Sequence, residues 1–156
     1  MDLLGPEELF LKVRMQKYRK YLGIKHDYHN TNCITLIADI YKKELPNEDT
    51  FKKIWDYLDI TEGHPEQEDK WWKFFDLKRW NKFLKEYCKK IENLTEIQEY
   101  DVIVFSTSRR RIPIHFGMYI GQNYMIHLEE KSTSKIEMLT DTWRGKIHSV
   151  YRRKMV

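Results

Sequence analysis

The sequence predicts an α+β fold in a single domain, and three observations carry that prediction. Apolar residues recur at helical spacing through the first half of the chain, run as strands from Tyr100 onward, and flank a Gly-Gln-Asn break that predicts a β-hairpin. The 156 residues suffice for one core, and an aromatic content of 14% helps to fill it. Charges of both signs leave a net +4, a mild excess that favours anionic polymers only weakly. Arg109, Arg110 and Arg111, like Arg152, Arg153 and Lys154, read as a charged loop tip and a charged chain end, and no nucleic-acid partner is expected.

Taken in order, Pro6 suits a first helical turn and Glu7 and Glu8 suit the positive end of its dipole, so a structural helix is expected from there to about Leu22. No positively charged leader precedes an apolar core, because Asp2 comes first and Gly5-Pro6 interrupts Leu3-Leu4. The chain is therefore expected to be made in the cytoplasm without a signal peptide. No apolar run reaches membrane-spanning length. With only Cys33 and Cys88, a disulfide framework is not expected.

A second helix should begin at Cys33. Thr31 and Asn32 are capping residues, Ile34, Leu36, Ile37, Ile40 and Tyr41 repeat at helical spacing, and Pro46 lies just past the end. In a first turn, the helix dipole and a neighbouring imidazolium both favour a thiolate, the reactive form of cysteine. The backbone N–H there can help to hold an oxyanion. Taken alone, a cysteine with apolar flanks is a small core residue; two histidines downstream of it point to chemistry instead. His26, His29 and Cys33 also resemble metal ligands, but a closed zinc site wants four and no second cluster completes this one, so no metal is expected.

Between about residues 44 and 95 the chain predicts a helical insertion. Phe51, Ile54, Trp55 and Leu58 have helical spacing, Gly63-His64-Pro65 breaks it, and a second helix carries Leu84, Tyr87, Cys88 and Ile91 on one stripe, with Cys88 as core. Trp71, Trp72, Phe74, Phe75 and Trp80 exceed what one narrow face needs. They suit a partner-binding face, a roof over a cleft, or extra core under the insertion.

The remaining pattern predicts five strands of an antiparallel sheet packed on the Cys33 helix: Asp101 to Phe105, the two arms of the hairpin, Lys135 to Leu139, and Ile147 to Arg153. A three-residue loop of Gly121, Gln122 and Asn123, with Asn123 at positive φ, would face Ile120 with Tyr124 and Gly117 with His127. His115 then becomes the diagonal neighbour of His127 on one face, roughly 7–8 Å away. A two-residue loop would pair Met118 with His127 and put the imidazoles on opposite faces.

The segments T-N-C-I-T-L-I, Y-D-V-I-V-F, H-F-G-M-Y-I-G and M-I-H-L, in this order, resemble the NlpC family of cell-wall cysteine peptidases, over about Tyr21 to Arg153 with one long insertion. The resemblance implies a papain-like core spanning 1–156 as one domain, with Cys33 as nucleophile, His115 as base and His127 as the group that orients it. Tyr21 is the candidate for an assisting hydroxyl at the oxyanion hole, and Tyr28 is its rival. The resemblance also implies that murein stem peptides are the substrate and that no cofactor is needed. Asn32 stands where the family usually has aspartate, and Ile34 and Thr35 replace the usual Ser-Gly. These three are the expected substrate-binding positions. Tyr100 stands where glycine is usual. A small chain with a large aromatic insertion is similar to versions carried in bacteriophage tails, which implies a virion location and contacts with other tail proteins through Trp71, Trp72 and Trp80. A catalytically silent assembly module on the same fold is the alternative; a related acyltransferase branch has His before Cys, against the order here.

Overall fold

The computed structural model describes residues 3–27, 31–46, 80–106 and 113–154. Tyr28, His29, Trp71, Trp72, Arg109 to Arg111 and most of the expected insertion lie outside the described residues.

Helix α1, Pro6–Tyr18, starts with proline in its first turn and with Glu7 and Glu8 beside the dipole, and a 3-10 turn over Arg19–Tyr21 carries it close to the expected end. Helix α2 is Cys33–Glu44. Residues 80–87 are helical and run directly into strand β1, Cys88–Lys90. The other strands are β2, Val102–Ser106; β3, Pro113–Gly121; β4, Tyr124–His127; β5, Lys135–Met138; and β6, Ile147–Arg153. A short helix α3, Asp141–Arg144, joins β5 to β6.

These strands form one antiparallel sheet in the order β1-β6-β2-β3-β4-β5. It has six strands where five were expected. The sixth is β1: the stripe ending in Cys88 and Ile91 does not stay helical, because Cys88 pairs with Arg153 and Ile91 N–H donates to the Val150 carbonyl at 2.8 Å. The edge of β6 supplies those backbone groups with partners, and tertiary pairing overrides the local helical spacing. Cys88 is buried, as expected of a core residue.

Two apolar clusters lie on the two faces of the sheet, as the alternation of side chains along a strand requires. On one, Cys33, Ile34, Ile37 and Tyr41 of α2 pack with Val104, Phe116, Met118 and Ile126. On the other, Ile103, Phe105, Met125 and Val150 pack together with Leu139 and half-buried Trp143. Trp80 belongs to the first cluster, with its ring centroid 5.2 Å from that of Phe83. Of the readings left open for the insertion's aromatics, Trp80 takes that of extra core, packed with residues of α2. The basic chain end is also put to structural use: Arg152 makes two hydrogen bonds to buried Asp101 and one to the Glu96 carbonyl.

Candidate active site

The hairpin reaches the expected register by a different route. Gly121, not Ile120, pairs with Tyr124, so the loop is the two-residue Gln122-Asn123, with φ of 49° and 69°. Two residues at positive φ form the turn that suits a twisted hairpin. The pairing shifts between Tyr119 and Gly121, a bulge that absorbs one residue and restores Gly117 opposite His127. Gly121 has a φ of 103°, and a Cβ there would sit 2.6 Å from Cζ of Phe10. Only glycine meets both demands.

His115 and His127 consequently share a face, and their rings are joined: His115 Nε2 lies 2.8 Å from His127 Nδ1. The next diagonal step crosses to the edge strand. Met125 pairs with Glu137 and His127 with Lys135, so Glu137 is the diagonal neighbour of His127, and its Oε2 lies 2.7 Å from His127 Nε2. Three side chains on three adjacent strands thus form one hydrogen-bonded row. Aromatic rings wall it in. The His115 ring stacks on Phe105 at 5.8 Å, and Trp143 meets His127 edge-on at 5.2 Å and lies 6.1 Å from His115.

His127 is fully buried, and burial, the largest influence, holds its pKa below the ordinary histidine value against the pull of Glu137. It is thus the neutral imidazole at neutral pH, with one nitrogen donating and the other accepting. Among the described residues, His127, Glu129 and Glu137 are the one trio whose potential ligand atoms come within 4.8 Å of one another. Lys135 already serves both carboxylates, at 3.4 Å from Glu129 and 3.9 Å from Glu137. The cluster thus already has a cation beside its two carboxylates.

Cys33 is the first residue of α2 and is buried. Asn32 caps the helix: its Oδ1 accepts from the N–H groups of Ile34 and Thr35, both at 3.0 Å, while the Thr35 hydroxyl accepts from Asn32 N–H at 2.7 Å. This reciprocal box aims the first turn and holds Cys33 at the positive end of the dipole. The same cluster that holds Cys33 contains Phe116, the neighbour of His115 in β3, whereas the His115 ring itself turns to Phe105 on the other side.

Four expected site residues have structural partners. Asn32 and Thr35 bond to each other in the cap of α2, and Ile34 is buried in the core, so their expected part in substrate binding stays an expectation. The reason for this placement is local: Asn32 and Thr35 complete a capping box and Ile34 makes a core contact. Tyr21 is buried, and its hydroxyl donates to Glu44 at 2.8 Å, at the last residue of α2. A helix of 12 residues separates that point from Cys33 by roughly 16 Å. Tyr21 is therefore no oxyanion donor in this arrangement, and its rival Tyr28, like the candidate ligand His29, lies outside the described residues.

Sequence reasoning missed Glu137 and Trp143. The strand carrying Glu137 was expected, but the seven residues between β4 and β5 leave its register open, and register decides which face Glu137 takes.

The cysteine-helix and two-histidine hairpin fall within residues 20–152, which match the NlpC/P60 family. The chain belongs to that family. A crystal structure of a protein described as similar to lipoprotein, NLP/P60 family, from Staphylococcus aureus subsp. aureus Mu50 has the same fold, with a TM-score of 0.53 and 16% identity. The alignment covers 99% of this chain and 44% of that one, so this chain spans less than half of that protein. No curated protein sequence matches the chain. NlpC/P60 membership generally means cell-wall peptidase activity, and the mixed helix and antiparallel-sheet architecture is the papain-like fold of this family.

Proposed function

We propose that this NlpC/P60 protein is a cysteine endopeptidase that hydrolyses peptide bonds in the stem peptides of peptidoglycan, with Cys33 as nucleophile, His115 as general base and acid, and His127 as the group that orients His115. The observation that carries this reading is the 2.8 Å His115–His127 hydrogen bond on the hairpin beside a helix that begins with cysteine. His115 Nε2 is committed to His127, so in this reading Nδ1 is the atom that must exchange a proton with the thiol, which requires the first turn of α2 to bring Cys33 from the Phe116 side of β3 to the His115 ring. The thiolate attacks the peptide carbonyl, and the developing oxyanion is met by the N-terminal end of α2. As the C–N bond breaks, the leaving amine takes the proton from Nδ1, leaving an acyl thioester. Water then attacks the thioester carbonyl while giving a proton back to Nδ1, and the carboxylate product leaves Cys33. No metal or cofactor enters these steps.

The finer setting, a phage tail component for local wall penetration or tail assembly, rests on the aromatic-rich stretch between about residues 44 and 95. The test is digestion of sacculi with different stem peptides, read by mass spectrometry. New peptide termini should appear with the wild type, and Cys33→Ala should lose at least about three orders of magnitude in rate while keeping the fold. Absence of cleavage on every murein, with unimpaired assembly of particles carrying Cys33→Ala, would leave the silent assembly module in its place.

A further inference from the structure

The row of hydrogen bonds does not stop at the second histidine, and its third member decides where the protons sit. A carboxylate has acceptors only. With Glu137 Oε2 2.7 Å from His127 Nε2, that nitrogen carries the hydrogen, and in a neutral ring Nδ1 must then be the acceptor. Nδ1 of His127 faces His115 Nε2 at 2.8 Å, so the hydrogen between the rings belongs to His115. In neutral His115 the lone pair is thereby forced onto Nδ1, the atom the peptidase reading needs as a base.

We propose that Glu137 is a positioning residue: through His127 it fixes the tautomer of His115, so that a carboxylate on the edge strand aims the base of a site two strands away. This rests on the peptidase reading for its purpose but not for its geometry. The surroundings support it. Burial keeps His127 neutral, so the middle ring remains one donor and one acceptor. Lys135, 3.9 Å from Glu137 and 3.4 Å from Glu129, sets a cation beside both carboxylates. Trp143 lies against both imidazoles and Phe105 stacks on His115, which holds the two rings in their places. The charged groups that act on His127 are Glu137, Glu129 and Lys135, all from β5 or the segment after β4.

Histidine side-chain nitrogen NMR on the whole protein tests this without needing any activity. In the wild type at neutral pH, His115 and His127 should both be the Nε2–H tautomer. In Glu137→Leu, which removes the acceptor, the Nδ1–H form of at least one ring should become populated. Glu137→Gln, whose amide oxygen can still accept, should restore part of the wild-type pattern and guards against a folding defect in the leucine variant. On any murein the wild type cuts, Glu137→Leu should lower kcat by roughly 10–100-fold with KM little changed, as for removal of other outer hydrogen-bond partners. Identical tautomers in wild type and Glu137→Leu, or an Nδ1–H form of His127 in the wild type, would overturn the proposal. Tautomers as expected in a protein that cuts no murein would overturn the peptidase reading alone.

Discussion

His127 has lost all contact with water and stands between a carboxylate and a second imidazole. Its folded-state pKa is held below the ordinary value, first by burial, so the unfolded chain takes up the proton at a higher pH than the folded one. Stability from this residue is therefore fully present above the unfolded histidine range and is lost as pH falls through the folded pKa. Denaturant melts between about pH 7 and pH 5 should show falling stability, with a shallower slope in His127→Gln; an unchanged slope would mean that His127 is not the group that resists protonation. Chemistry at the sulfur gives a second expectation. Cys33 and Cys88 are both buried, but Cys33 opens α2 whereas Cys88 begins an edge strand. The dipole favours a thiolate only at Cys33, and site-resolved iodoacetamide labelling should run faster there across neutral pH. Faster labelling of Cys88 would count against an activated Cys33.

At the scale of elements, α2 shows how far residue types reach and where they stop. Its start, its apolar face and its end near Pro46 were legible because capping and periodicity are local. The capping by Asn32 and the apolar place of Ile34 were legible too, whereas the reciprocal bond from Thr35 was not, because a residue that caps and one that meets a substrate share the same sequence position. Asn32→Ala should cost about 1 kcal/mol through the lost cap, read in denaturant melts, and should slow Cys33 labelling if the box aims the first turn. The hairpin teaches a related lesson. Its register was legible, yet the odd residue sits in a bulge beside Tyr119 rather than in the loop, since turn residues and bulge residues answer the same parity. β1 was hidden for a different reason: Cys88–Lys90 is a strand only because the edge of β6 is there to pair with it. Gly121→Ala tests the hairpin directly. The left-handed φ of 103° and the 2.6 Å approach of Phe10 together predict a loss of roughly 2–3 kcal/mol, and no loss would mean that Phe10 moves away freely.

Across the whole molecule, the family match begins at residue 20, after α1. α1 is held on the rest by a polar cluster more than by apolar burial, for Tyr18 is its one buried residue. Glu99, just before β2, gathers three of its side chains: Tyr18 hydroxyl donates at 2.5 Å, Arg14 at 2.8 Å and Lys17 at 3.1 Å. Lys17 also donates to the Tyr100 hydroxyl at 2.6 Å. Tyr100 has a φ of 76°, in the left-handed region that favours glycine, and the Tyr41 hydroxyl donates to its carbonyl. Where glycine would leave a bare turn, this chain places an aromatic that joins α1, α2 and the sheet. Removing Glu99 should then undo one attachment and leave the others. In Glu99→Ala the Tyr18 hydroxyl and two cations lose their shared acceptor, which costs the docking of α1 about 2 kcal/mol, a change of roughly thirtyfold in the local opening equilibrium. Amide hydrogen exchange should show faster exchange confined to α1 and its 3-10 turn, with β2, β3 and β4 as protected as before. The His115–His127 pair sits on those protected strands, so its nitrogen resonances should not move. Acceleration spread evenly over the sheet would mean that Glu99 supports the common core, and that α1 is part of the folding unit that carries the site.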